Sequence, residues 1–246
     1  MSCIHPSAQV GSGTRLGHNA VICENVRIGN DCQIGHGVVI HADTMIGDGV
    51  RIDDNSVIGK LPMKAALSAI TKEQELPACE IANGCLVGAL AVIYRGCKIG
   101  SKVMIADLAS VREDVEIGDY TIVGRGVTIE NKVRVGQRCK IETEAYITAL
   151  SEIGDNCFIA PEVSFTNDNF LGRTKDRFKY HKGVTLKRGA RVGANATFLP
   201  GVVVEEDALV AAGSVVTRDV PAKKVVCGAP ARHLRDVPAE QLLENQ

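Results

Sequence analysis

One stretch concentrates the side chains able to do chemistry. Residues 166–183 read Thr166-Asn167-Asp168-Asn169-Phe170-Leu171-Gly172-Arg173-Thr174-Lys175-Asp176-Arg177-Phe178-Lys179-Tyr180-His181-Lys182-Gly183, with three of the chain's nine aromatics and five Lys or Arg. Aromatic faces can stack a base or a sugar, and clustered cations can meet phosphates. A loop this long is unusual in a compact domain and is more often functional than not. Glu142, Glu144 and Tyr146 form a second cluster, and His18, His36 and His41 a third. Nine cysteines invite a disulfide or zinc reading, but no C-x-x-C pair exists.

The loop needs a frame, and the rest of the chain supplies one with a period of six. From Ile81 to Phe165 every sixth residue is aliphatic, with Phe165 closing a run of fifteen positions. The same beat runs from Ile4 to Ile58 and returns from Leu186 to Val216. Six is neither the helical period of 3.6 nor the strand period of 2, and short self-similarity signals a solenoid. Four residues after each aliphatic comes a smaller slot, for example Cys85, Ala91, Cys97 and Val103. Gly, Asp or Asn recur just after the aliphatic and supply turn geometry. Each hexad therefore reads as one short strand and one corner, with the aliphatic and the small residue facing inward. Cys32, Cys85, Cys97, Cys139 and Cys157 all occupy the small slot, where they act as small hydrophobes. By the same phase Glu142, Glu144 and Tyr146 face outward or nearly so.

Composition narrows the function classes. The net charge is −1 and the pI near 6.6, which gives no nucleic-acid footprint. No apolar run approaches membrane-spanning length and the N-terminus has no secretory character, so a cytoplasmic protein is expected. One shared period argues for a single domain over 1–246. Its parts are first coils at 1–58, an excursion at 59–80, core coils at 81–165, the loop at 166–185, further coils at 186–217 and a cap at 218–246. The excursion breaks the beat. Pro62 through Leu67 reads as a short helix with proline in its first turn, and the segment is either a decorative insertion or a wall of a substrate cleft. A short helix near Pro238 to Glu244 is expected in the cap, because a parallel solenoid needs its open ends covered.

The repeat resembles the hexapeptide-repeat, left-handed parallel β-helix family, whose coils hold three hexads each. The resemblance implies an all-β fold, and its handedness is implied by the resemblance alone. Thirty-one hexads then make about ten coils, stacked at ~4.8 Å into a prism roughly 50 Å tall. Ala211-Ala212-Gly213-Ser214-Val215-Val216-Thr217-Arg218-Asp219-Val220-Pro221, followed by Gly228-Ala229-Pro230-Ala231-Arg232, is similar to the C-terminal signature of acetyl-CoA-dependent hexapeptide acetyltransferases. The resemblance implies a homotrimer that binds coenzyme A in a groove between neighbouring subunits. Gly193, Ala194, Ala212, Gly213, Thr217, Lys223 and Arg232 would line that groove. More narrowly, Phe165-Thr166-Asn167-Asp168 is similar to the N-acetyltransferases of nucleotide-linked 3-amino sugars, in which the Asn-Asp pair meets the sugar beside the thioester. Here Lys140-Ile141-Glu142-Thr143-Glu144 replaces that family's Lys-Ile-Gln-Asn-Asn. Ala149 stands where an acidic residue is often found.

The expected reaction is attack of an amine on the acetyl carbonyl with the coenzyme thiolate leaving. Asp168 would hold and deprotonate the amine, Asn167 would orient it, and His181 is a second candidate base whose pKa suits the task. Glu142, Glu144, Tyr146, Phe170 and Arg173 would contact the sugar nucleotide. No metal is called for. Other acceptors remain open: an amino acid, a hydroxyl, or a UDP-amino sugar loaded with an acyl chain, which Ile4-His5-Pro6-Ser7-Ala8 resembles. Gly35-His36-Gly37 through His41-Ala42-Asp43 also resembles part of the histidine pattern of γ-type carbonic anhydrases, with His18 as a third zinc ligand one coil away. A non-catalytic scaffold is the remaining reading, and it gives no reason for the loop.

Overall fold

The computed structural model describes residues 2–63, 66 and 75–246. The chain winds into a three-sided prism of parallel strands. The first face has eleven strands, from Cys3–Ile4 to Val215–Val216. The second has ten, from Gln9–Val10 to Val203–Val204, extended by a bridge from Val204 to Val220. The third has twelve, eleven parallel from Arg15–Leu16 to Lys224–Cys227 and Arg232–Asp236 added antiparallel. Eleven rungs stand where about ten were expected, because Val220 and Lys224–Cys227 complete a turn off the six-residue beat.

Register follows the aliphatic column. Ile93 pairs with Val111 and Ile117 with Val135, so that identical positions stack along one buried core. Across the excursions the register jumps but the stacking survives: Ile46 pairs with Ile81, and Phe165 with Phe198. Those two rings are fully buried and meet edge to face at 4.9 Å. Phe198→Ala is expected to lower stability by about 3–5 kcal/mol, read as an earlier urea midpoint, because a rigid prism closes poorly over a cavity.

Corner chemistry is finer than turn propensity alone suggests. The third residue after each aliphatic is left-handed, as at Asn25, Asp114, Leu90 and Gly126. The glycine directly after the aliphatic does something else. A Cβ at Gly118 would lie 2.6 Å from the Gln137 backbone nitrogen, so this glycine lets successive rungs approach. The small slot is also more than apolar filling. Cys85 Sγ donates to Gly100 O at 3.0 Å and Cys139 Sγ to Gly154 O at 3.1 Å. Thr121 Oγ1 does the same to Gly136 O at 2.9 Å. Thiols and hydroxyls there cap corner carbonyls that have left the strand ladder. Burial pushes the Cys79 thiol up to about 12, which keeps it inert.

Both excursions leave the prism at one edge, between the first and second faces. The first departs after Val57–Lys60 and re-enters at Glu80–Ile81. Arg95 clasps its return by donating to Leu76 O at 2.9 Å and Ala42 O at 2.8 Å. The helix expected from Pro62 lies outside the described residues. The second excursion follows Ser164–Phe165 and carries one four-residue helix, Arg177–Tyr180. At the C-terminus, two 3-10 turns, Ala239–Gln241 and Leu243–Asn245, replace the single short helix expected. The tail is shaped by contacts such as Leu243 N to Asp207 Oδ1 at 3.2 Å.

Candidate active site

The expected site residues divide between two edges of the first face. The loop edge carries both excursions. The edge between the third and first faces carries Gly193-Ala194, Ala212-Gly213, Glu142 and Glu144. There a shallow cavity of 250 Å³ is floored by Gly193, Ala211 and Ala212 and walled by Phe158, Arg191 and Leu209. Small residues leave room for an extended ligand beside the backbone. Thr217, Lys223 and Arg232 do not join this group. Thr217 follows the last first-face strand, Lys223 Nζ pairs with Glu244 at 3.0 Å, and Arg232 opens the antiparallel strand. Glu142 is half-buried and Glu144 exposed, Glu144 standing 3.7 Å from Arg125. Tyr146 projects from the face between the two edges, and its side chain bonds with Thr148 on the loop edge.

The loop is organised by Asp168. Its carboxylate accepts from Phe170 N at 2.8 Å, Gly172 N at 3.0 Å and Arg177 Nη1 at 2.9 Å. Desolvation opposes the charge, but the Gly172 and Phe170 amides and the Arg177 guanidinium outweigh it and hold the carboxyl at about 2. A group held so low keeps its charge at neutral pH and takes up no proton there. Because its pKa is lowered on folding, the stabilisation is present above the unfolded value and lost as pH falls through the folded one. Proteolytic nicking at residues 171–176 is therefore expected to stay slow above about pH 4 and to rise below it, with the rise absent in Asp168→Asn.

His181 stands behind this carboxylate. Its side chain is 9 % exposed, its Nε2 lies 3.7 Å from Asp168 Oδ2, and that buried nitrogen has no hydrogen-bond partner among the described residues. Phe178 meets the imidazole edge to face at 5.8 Å, and Phe170 lies 5.8 Å from Tyr180. Asn167 holds the loop base through its carbonyl, which accepts from Lys182 N at 3.3 Å, while Arg173 projects into solvent. The loop thus joins a titratable imidazole to a fixed charge, with aromatic faces and free cations around them.

A column that sequence reading missed runs below the loop. Tyr94, Arg112, Glu130 and Thr148 each follow the inward aliphatic on successive rungs and lead to Thr166 at the loop's root. Their common spacing of eighteen was visible in the sequence. The histidines of the zinc reading do not converge. His18 and His36 stack at 5.3 Å on one edge, with His36 Nδ1 accepting from His18 N, while His41 stands on the loop edge. Among the described residues no three His, Cys, Asp or Glu side chains are placed to hold a metal ion, and no helix is long and apolar enough to cross a membrane.

Known proteins share this repeat. The family model for bacterial transferase hexapeptide (six repeats) matches residues 25–60 and 96–131, and that for the hexapeptide repeat of succinyl-transferase matches 184–218. Galactoside O-acetyltransferase of Escherichia coli (strain K12) is 31 % identical over 88 residues, 35 % of this chain and 43 % of that protein. The chain spans less than half the length of the first curated relatives it matches. LpxA, a UDP-N-acetylglucosamine acyltransferase from Bacteroides fragilis 9343, superposes on 95 % of this chain and 72 % of its own with a TM-score of 0.57 at 19 % identity. AntD, an N-acyltransferase from Bacillus cereus in complex with dTDP-4-amino-4,6-dideoxyglucose and coenzyme A, superposes on 58 % of this chain and 85 % of its own, with a TM-score of 0.50 at 22 % identity. These two structures share the prism. Repeat, fold and family models agree that the chain carries the repeat of the bacterial transferase hexapeptide proteins.

Proposed function

We propose that the chain transfers an acetyl group from acetyl-CoA to the amino group of a nucleotide-linked amino sugar, a 3-amino-deoxy sugar by the Asn167-Asp168 pattern. The observation that carries this reading is the division of the site between two edges of one face. A groove floored by Gly193, Ala211 and Ala212 lies on one, and a loop with a buried imidazole on the other. In a cyclic trimer the groove of one copy would face the loop of the next. Leu90 and Leu108 are 53 % and 51 % exposed on the groove edge, beside Leu86, and suit that contact. The C-terminal signature and the acetyltransferase relative support the acyl donor, and the bound sugar of AntD illustrates an acceptor this fold can take.

Acetyl-CoA brings a carbonyl activated as a thioester. The groove would fix it, and Phe170, Tyr146 and the loop cations would fix the sugar nucleotide, so that positioning supplies much of the rate. Asp168, permanently charged, acts as a positioning residue for His181. His181 accepts a proton as the amine nitrogen bonds to the carbonyl carbon. A backbone N–H of the coil meets the oxyanion. The C–S bond then breaks, and the thiolate takes the proton back from His181. Similarity to a galactoside O-acetyltransferase favours a hydroxyl acceptor as the second reading. Calorimetric titration with coenzyme A tests the donor half. The wild type should bind and Ala212→Trp should not. Equal binding by both, or by neither, would overturn the groove assignment.

A further inference from the structure

Between the two excursions the loop edge is built unlike the rest of the prism. Elsewhere on this edge the corner residues are exposed or half-buried, as with Cys23-Glu24 and Leu199-Pro200. On the intervening rungs Tyr94, Glu113, Asn131 and Thr148 are buried, with Glu113, Asn131 and Thr148 each 3 % exposed. A buried carboxylate needs a partner, and Glu113 has one. Arg112 Nε and Nη2 reach its two oxygens at 2.9 and 3.2 Å. The same guanidinium lies over the Tyr94 ring at 5.0 Å, and Lys60 at the root of the first excursion donates to the Tyr94 hydroxyl at 3.1 Å.

Glu130 is the exception in this strip. Its side chain is 23 % exposed, and Arg112 approaches it only at 3.5 Å while clasping Glu113 with two other nitrogens. Two carboxylates share that guanidinium, and besides this long contact the outer one is met by the Asn131 backbone amide. Burial pushes the Glu130 carboxyl up against the pull of Arg112, with Glu113 adding to the push. Tyr146 is its neighbour: burial and then the Glu130 charge push the phenol up, and the ring stays 40 % exposed. A half-buried carboxylate beside an open aromatic face, two rungs below the loop root, is arranged to receive a cation that carries a ring.

We propose that Glu130 binds the ammonium of the acceptor, with Tyr146 as the surface on which its sugar rests, and thereby selects amines over hydroxyls. This rests on the acetyl-transfer reading and names the chemistry of its acceptor site. The strip supplies charge recognition; the bound ammonium first releases one proton to solvent, and the neutral amine then reacts with its second proton passing through His181 to the thiolate. Glu142 and Glu144, on the far edge of the same face, take no part in it within one copy.

The test is calorimetric and independent of turnover. A dTDP-linked 3-amino-3,6-dideoxy sugar and its 3-hydroxy analogue are titrated into the full-length wild type, Glu130→Gln and Glu130→Asp. The wild type is expected to bind the amine roughly ten- to hundred-fold tighter than the alcohol. Glu130→Gln should erase that gap with coenzyme A affinity unchanged, and Glu130→Asp should restore part of it. A gap that persists in Glu130→Gln, or that is missing in the wild type, would overturn the assignment. Preferential amine binding without release of coenzyme A thiol would leave the Glu130 assignment standing and refute the acetyl-transfer reading.

Discussion

Replacing His181 with asparagine is expected to lower kcat by about two to four orders of magnitude, the usual worth of a positioned general base. Coenzyme A affinity should stay within a few-fold. Asparagine keeps one polar atom in the pocket, so loss of packing does not confound the result. The effect should be large because the loop's other carboxylates are tied up, Asp176 standing exposed against Lys179 at 2.9 Å. Asp168 is held at about 2 by the Gly172 and Phe170 amides and by Arg177, against the cost of desolvation. Lys and Arg side chains are already protonated, and Tyr180 is 60 % exposed at the rim. Asp168 at 3.7 Å favours a proton on His181 Nε2, which leaves Nδ1 with the lone pair. Asp168→Asn should therefore lower kcat less than His181→Asn. Equal activity of the wild type and His181→Asn would remove the imidazole from the mechanism and leave the thiolate itself as proton acceptor.

Charging the groove edge is expected to abolish activity without unfolding the prism. Leu90 and Leu108 occupy left-handed corners, φ 59° and 62°, where neighbouring coils place Asn, Asp or Gly. A large apolar side chain, strained and more than half exposed, is poorly explained by one copy alone. If the proposed trimer forms, Leu90→Asp with Leu108→Asp should convert it to monomers by light scattering and lower kcat/KM by at least about a hundred-fold. Aspartate suits a left-handed corner, so the melting temperature of each separated chain should hold. A mixed-trimer experiment sharpens the point. Ala212→Trp damages the groove, His181→Asn the loop, and each alone should be inactive. Trimers containing both should recover about a third of wild-type activity, because one groove and one loop then meet intact. No recovery in purified mixed trimers would place groove and loop of the same copy in one site.

The frame was legible because its period is simple. Every sixth residue is aliphatic, and the prism follows, including both departures from it at Ile58 and Phe165. The count of rungs fell one short because Val220 and Lys224–Cys227 obey the geometry without obeying the spacing. The buried cysteines were legible as inward residues, but their thiol bonds to Gly100 and Gly154 carbonyls were not, since those depend on where each corner places its oxygen. At the candidate site, closeness in sequence and closeness in space differ. Glu142, Glu144 and Tyr146 sit close in the chain, yet a corner and half a face separate the first two from the loop edge. Glu130 is remote from the loop in sequence and close to its root in space, because stacking makes residues eighteen apart into neighbours. A spacing of eighteen through Tyr94, Arg112, Glu130, Thr148 and Thr166 is the signal that would have found it. The four positions proposed for the coenzyme at 193–194 and 212–213 share one edge of the prism, whereas Thr217, Lys223 and Arg232 lie past the last regular hexad, where no period places them.

The decisive measurement is release of free coenzyme A thiol when the purified protein is mixed with acetyl-CoA and a panel of UDP-, dTDP- and GDP-linked amino sugars. Release with one 3-amino sugar nucleotide, and not with its 4-amino isomer or its 3-hydroxy analogue, is the expected result. Release with a hydroxyl sugar and none with any amine would contradict it and turn the same groove and loop to O-acetyl transfer.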